Sequence, residues 1–184
     1  KIDFIDVRRA YYHAKALREV YVALPPGDEE EGMCGLLLKS LQGTRDAAQN
    51  WEEEYTDFMN SVGFEAGISN PCVFFHRDKN LRVVVHGDDF TVLGYADSLD
   101  WFRDAIRSRF EVKFRGRLGP GDYDDKSIRI LNRIVTWAPY GPQYEPDQRH
   151  AELILKTLEL DEISNPVSTP GEKAATTTRE DSTP

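Results

Sequence analysis

Val83-Val84-Val85-His86-Gly87-Asp88-Asp89-Phe90-Thr91-Val92-Leu93-Gly94 is the stretch on which the fold and the chemistry both turn. An apolar run enters, a glycine and two aspartates interrupt it, and a second apolar run leaves. Both runs are short and rich in β-branched and aromatic residues. They read as buried strands joined by a tight hairpin, with Asp88 and Asp89 on the turn. Two adjacent carboxylates at the tip of an apolar hairpin repel each other unless water or a cation neutralises them. An ordinary solvated Gly-Asp turn is the simpler account of a bare Gly-Asp-Asp, so the surrounding chain has to decide.

Working outward, Leu81 to His86 and Pro71 to His76 read as strands joined by the polar turn Arg77-Asp78-Lys79-Asn80. Ahead of them, Thr44 is expected to cap a helix running to about Ser61. Ala47, Ala48, Trp51, Tyr55, Phe58 and Met59 fall near helical spacing, and Gly63 ends the helix. After Gly94, Asp97 or Ser98 is expected to cap a second helix with Leu99, Phe102, Ile106 and Phe110 on its inner face. Ile2 to Val7 reads as a strand that ends at Asp6, Arg8 to His13 as a short helix or turn, and Val20 to Leu24 as a strand. Glu111 to Phe114 reads as a strand, Gly116 to Asp125 as a loop, and Ser127 to Trp137 as a strand pair or one long strand. Asp147 is expected to cap a helix to about Leu160, and the Thr-, Ser-, Pro- and Glu-rich tail from Ser164 reads as a linker.

Helices interspersed among hairpin-joined strands imply an α+β fold, an antiparallel sheet with helices packed on one face. If the strand ending at Asp6 neighbours the hairpin, Asp6, Asp88 and Asp89 converge at one sheet edge. That constellation suits two divalent cations about 3.5–4 Å apart, serving phosphoryl transfer. Mg²⁺ is the natural ion for a site of oxygen ligands, with Mn²⁺ a substitute.

Composition bounds these readings. The chain has 184 residues and a net charge of −9, with no apolar run near the roughly 20 residues of a membrane span. No secretory leader is recognisable, and no membrane partner is expected. Cys34 and Cys72 lie far apart among apolar neighbours and are expected as buried, unpaired thiols of a reducing compartment. The acidic balance runs against nucleic-acid binding. A basic stretch through Arg103, Arg107, Arg109, Lys113, Arg115 and Arg117 either faces a phosphate backbone or is a solvated face. Asp122, Asp124 and Asp125 read as a solvated loop rather than a metal cluster. Lys1-Ile2-Asp3-Phe4 reads like the middle of a strand, as if cut from a longer chain.

Several motifs, in order from Ile5 to about Pro170, resemble the palm of the reverse transcriptase of copia-type long-terminal-repeat retrotransposons. Asp6-Val7-Arg8-Arg9-Ala10-Tyr11 resembles the first palm motif. Lys39-Ser40-Leu41-Gln42-Gly43-Thr44-Arg45-Asp46-Ala47-Ala48-Gln49-Asn50-Trp51 resembles the family's Lys-Ser-Leu-Tyr-Gly signature, with Gln42 in place of tyrosine. Asn70-Pro71-Cys72 resembles its Asp-Pro-Cys segment. His86-Gly87-Asp88-Asp89 stands where the family has Tyr-Val-Asp-Asp, so the aspartates are kept while the two residues before them are not. Phe110-Glu111-Val112-Lys113 and Pro166-Val167-Ser168-Thr169-Pro170 resemble the segments that follow.

The resemblance implies an RNA-directed DNA polymerase. Asp6, Asp88 and Asp89 would be its catalytic residues, and these three with the Val7 backbone would hold two Mg²⁺ ions, or Mn²⁺. Tyr11, Gln42, Gly43 and Lys113 would contact the incoming nucleotide, Tyr11 by excluding a 2′-hydroxyl. The implied partners are an RNA template, a DNA primer, deoxynucleoside triphosphates and the rest of a Pol polyprotein: fingers ahead of Lys1, ribonuclease H and integrase. On the same basis residues 1–137 form the palm, 138–163 begin a thumb or connection, and 164–184 form a flexible linker. Cytoplasmic particles are the implied location, with the nucleus the alternative. The competing reading is an inactive or domesticated fragment that at most binds. An unrelated Mg²⁺ phosphatase or nuclease ranks last, since it needs a second acid cluster.

Overall fold

A computed structural model describes residues 1–145 and 148–160. The chain divides into two units, Lys1–Glu145 and Pro146–Pro184. The first unit is built around β1 (Ile2–Val7), whose alternation sends successive side chains to opposite faces. The remaining strands of its sheet are β4 (Glu65–Ala66), β5 (Val73–His76), β6 (Leu81–His86), β7 (Asp89–Leu93) and β8 (Val112–Leu118). A short ribbon, β2 (Tyr21–Val22) with β3 (Gly35–Leu36), stands apart. The six strands run in the order β4-β5-β6-β7-β1-β8, each pair antiparallel.

Two helices, α1 (Ala47–Ser61) and α2 (Ala96–Arg109), cover one face of this sheet. Trp51, Tyr55, Phe58 and Met59 from the first and Leu99, Phe102 and Ile106 from the second pack with Ile5, Val7, Phe74, Leu81, Val83, Val85, Phe90 and Val92. The period-two pattern of β6 shows the division: Leu81, Val83 and Val85 are buried, while Arg82, Val84 and His86 are exposed. Over part of the other face lies a three-stranded sheet of β9 (Ser127–Ile130), β10 (Arg133–Ala138) and β11 (Gly141–Glu145). Its Ile128, Ile130 and Val135 form a second core with Phe4 and Leu118. The expected α+β architecture is therefore present, with β1 buried on both faces. Helix α3 (Gln148–Thr157) belongs to the second unit.

Several local expectations are corrected. Thr44 does not cap α1: its hydroxyl donates to the Leu41 carbonyl (2.8 Å), closing a turn, and the helix starts at Ala47. Asn50 rather than Ala48 occupies the inner face, because its amide reaches the buried Ser40 hydroxyl at 3.0 Å. Helix α2 starts at Ala96, ahead of both expected caps, with Asp97 inside its first turn. Of the expected strand at 20–24 only Tyr21–Val22 is strand, with the Val20 carbonyl accepting the Leu37 N–H (2.9 Å) beside it. Strand β11, with a glycine and a proline and no β-branched residue, carries no local strand signal. It forms because β10 offers a free edge, the position in which a proline is tolerated. Cys34 is exposed and Cys72 half-buried, both free, so burial does not describe Cys34. Asp124 is not solvated: Lys1 Nζ (2.8 Å) and the Gly121 amide (2.7 Å) hold it. Asp147 and the 164–184 tail lie outside the described residues. No helix among the described residues is long and apolar enough to cross a membrane.

Candidate active site

The hairpin between β6 and β7 closes in two residues, Gly87 and Asp88, because His86 and Asp89 already pair across the strands. Gly87 has φ +62°, a left-handed value that favours glycine, and a Cβ there would meet nothing within 4 Å. The glycine is thus demanded by the backbone and not by space, as at the first position of a primed hairpin turn. Two contacts pin the turn. The Trp51 indole N–H donates to the Gly87 carbonyl (2.8 Å), and the Val7 N–H donates to the Asp88 carbonyl (2.8 Å). Trp51 is itself held by edge contacts with Phe110 and Tyr55, ring centroids 5.1 and 5.5 Å away. Its helical spacing in the sequence marks only a core residue.

The two aspartates do not share the turn as expected. Asp88 sits in the loop and is exposed, whereas Asp89 is the first residue of β7 and is 7 % exposed. Asp89 stands in register with Asp6 of β1. The three carboxylates therefore reach one end of the sheet from adjacent strands, as the order of elements implied.

Their charge is answered by a residue that sequence reasoning placed only within a basic stretch. Arg115 Nη2 contacts Asp6 Oδ2 and lies 3.4 Å from Asp89 Oδ1. The second contact is an ion pair without hydrogen-bond geometry, for Asp89 Oδ1 is buried with no hydrogen-bond partner. A mostly apolar pocket of about 370 Å³, lined by Phe4, Val84, Thr91, Ile130 and Tyr144, adjoins Asp89. Burial pushes the Asp89 carboxyl above its ordinary value; Arg115 opposes the shift, while Asp88 and Asp6 add to it and His86 opposes it.

The stability consequence follows in sign. A carboxyl raised in the folded state destabilises it when ionised, and that penalty disappears as pH falls through the raised value. In metal-free buffer at neutral pH, Asp89→Asn is expected to melt above the wild type, with the gap closing toward acid pH. Thermal melts of both proteins across pH 4–8 check this; a lower melting temperature for the variant at neutral pH would contradict it.

The remaining candidates are placed less closely. Lys113 pairs in register with Asp6 across β1 and β8, yet it is exposed and makes no ion pair among the described residues. Tyr11 lies in a 3₁₀ turn, Ala10–His13, straight after β1 and packs at the margin of the main core. Gln42 and Gly43 form an exposed turn, Gly43 at φ +95°. Bonds from Lys39 Nζ to the His13 carbonyl (2.8 Å) and from the Ser40 amide to the Ala14 carbonyl (3.0 Å) tie that segment to the chain beyond Tyr11. Among the described residues no bond joins Gln42 or Gly43 to the carboxylates.

Three carboxylates, one with a buried orphan oxygen, match in kind the hard oxygen donors that Mg²⁺ or Mn²⁺ takes. They are not arranged as a finished cage: among the described residues, no three His, Cys, Asp or Glu side chains stand ready to hold a metal ion. Asp6 and Asp89 close on Arg115 instead. The donor chemistry fits, and the geometry is that of an ion-paired resting cluster.

Residues 1–120 match the family model described as reverse transcriptase (RNA-dependent DNA polymerase), and the chain belongs to that family. Its relatives are copia-type plant elements. It is 26 % identical over 178 residues to the Retrovirus-related Pol polyprotein from transposon TNT 1-94 of Nicotiana tabacum, an alignment covering 92 % of this chain and 13 % of that protein. It is 30 % identical over 173 residues to the Pol polyprotein from transposon RE2 of Arabidopsis thaliana, covering 90 % of this chain and 11 % of that protein. The chain thus spans about an eighth or less of the length of these relatives.

Proposed function

We propose that this chain is the palm portion of a copia-type RNA-directed DNA polymerase and carries its nucleotidyl-transfer centre. The observation that carries the reading is the delivery of Asp6, Asp88 and Asp89 to one sheet edge by the β1–β7 register and the Val7–Asp88 bond. Asp6 and Asp88 would hold two Mg²⁺ ions, with Asp89 and the Val7 carbonyl supporting them. When bound, the ions would activate a primer 3′-hydroxyl and neutralise charge on the departing pyrophosphate.

The chain's own residues do the positioning. Trp51 and Val7 fix the turn that presents Asp88. Tyr11, directly beyond β1, would select against a 2′-hydroxyl, and Gln42, Gly43 and Lys113 would contact the nucleotide. RNA template, DNA primer, deoxynucleoside triphosphates and the remaining Pol regions are the proposed partners, in cytoplasmic particles. The ion-paired Asp6 favours the alternative, an inactive fragment. Primer extension on an RNA template separates the two. Deoxynucleotide incorporation that needs Mg²⁺ or Mn²⁺ and stops with EDTA is expected; metal-independent incorporation would sink the proposal, and silence at saturating metal would favour the inactive fragment.

A further inference from the structure

The position of Arg115 is set by an irregularity in β8. Phe4 pairs with Gly116 and Ile5 with Phe114, so Arg115 has no partner on β1 and is the extra residue of a bulge. The bulge breaks the two-residue alternation. Arg115 turns to Asp6 and Asp89, while Arg117, two residues on, serves Asp3, which faces the helices. Without the bulge, residues 115 and 117 would lie on one face. A single nitrogen, Nη2, is shared between carboxylates from two strands. It bonds Asp6 Oδ2 but leaves Asp89 incompletely satisfied, since Asp89 Oδ1 keeps no hydrogen bond. The Arg115 side chain is 37 % exposed and has water into which it can swing.

We infer that Arg115 is the built-in counter-cation of this carboxylate cluster, and that a divalent ion occupies the cluster only by displacing its guanidinium from Asp6 and Asp89. The inference rests on the proposed metal-binding role of these aspartates. One guanidinium facing three carboxylates leaves the cluster net negative, and a dication answers more of that charge. Arg115 thus holds β1, β7 and β8 together while the cluster is empty of metal, and sets the metal concentration at which it fills. It is a positioning residue, one that acts on the metal-binding carboxylates and not on substrate.

Mn²⁺ binding to the full chain tests this, read by electron paramagnetic resonance of free Mn²⁺ and by the Mn²⁺-dependent rise in melting temperature. Arg115→Gln is expected to bind Mn²⁺ roughly two- to fivefold more tightly than the wild type, the range set by releasing one partly exposed ion pair. Its metal-free form should melt lower and gain more on adding Mn²⁺. Arg115→Lys, which keeps the charge, should stay near wild type, and Arg115→Ala repeats the measurement if the glutamine variant does not fold. Equal or weaker binding by the charge-removing variants, while Asp88→Asn abolishes binding, overturns the role of Arg115 and leaves the metal site standing. Absence of saturable binding to the wild type and the variants alike overturns both.

Discussion

Asp3→Ala is expected to lower the unfolding free energy by about 3–5 kcal/mol, the usual cost of leaving one partner of a buried ion pair alone. Asp3 is fully buried in β1 and accepts three bonds: Arg103 Nε at 2.7 Å, Arg117 Nε at 2.6 Å and Arg117 Nη2 at 2.9 Å. One carboxylate thereby joins β1 to β8 and to α2. It also raises the Arg117 guanidinium above its ordinary value, chiefly through their hydrogen bonds. Alanine would leave both guanidinia facing an apolar gap. Arg117 would retain Asp100 (2.7 Å), and Arg103 would retain only its stacking over Phe114, 4.8 Å from the ring centroid. Urea denaturation of the two proteins measures the cost. Glu111→Gln is the contrast, since its contact with Arg8 lies between side chains 43 % and 55 % exposed. Exposed pairs of this kind contribute about 0–1 kcal/mol. A loss under about 1 kcal/mol for Asp3→Ala would show that the buried triad adds little to stability.

What was legible in the sequence was whatever has a local period. The alternation of Leu81, Val83 and Val85 and the helical spacing of Leu99, Phe102 and Ile106 identified strand, helix and inner face without any partner being known. The tight turn at Gly87 was legible because a primed turn has a residue preference. The division of labour between Asp88 and Asp89 was not, because it depends on where pairing with β1 stops. Strand β11 was missed for the same reason: its cause is a neighbour's edge.

The basic stretch shows the limit most clearly. From composition it was either a backbone-binding face or a solvated one. In the fold its members meet separate fates. Arg103 and Arg117 enclose Asp3, Arg109 pairs with Glu54, Arg107 lies over Phe114, and Arg115 answers Asp6 and Asp89. On α2 and β8, Arg107 and Lys113 are exposed and make no ion pair among the described residues. The contacts to Asp3 and Asp6 join residues 100 to 114 positions apart, and the one to Asp6 depends on a bulge that no local signal marks. Most of this basic stretch is therefore engaged by carboxylates of the same chain, and only Arg107 and Lys113 keep an unpaired charge among the described residues.

If the proposed nucleotidyl-transfer centre holds, Asp88→Asn is expected to remove primer extension, by at least about a hundredfold, while leaving the fold intact; losing one of the proposed metal-binding carboxylates would forfeit several kcal/mol of transition-state charge stabilisation. The separation of the two effects follows from where the side chain lies. Asp88 is exposed in a two-residue loop, and its carboxylate makes no hydrogen bond or ion pair among the described residues. Only its backbone carbonyl is structural, through the Val7 amide, and asparagine keeps that carbonyl. Stability should then stay within about 0.5 kcal/mol, as for a surface substitution away from packing. Extension at the wild-type rate by Asp88→Asn would remove this residue from the active centre. Its neighbour supplies the complementary case. Asp89→Asn acts on a buried, poorly bonded carboxylate and should raise metal-free stability, whereas Asp88→Asn should not. Two adjacent aspartates of identical chemistry are thus distinguished by one step of register, the exposed one answering in the activity measurement and the buried one in the melt.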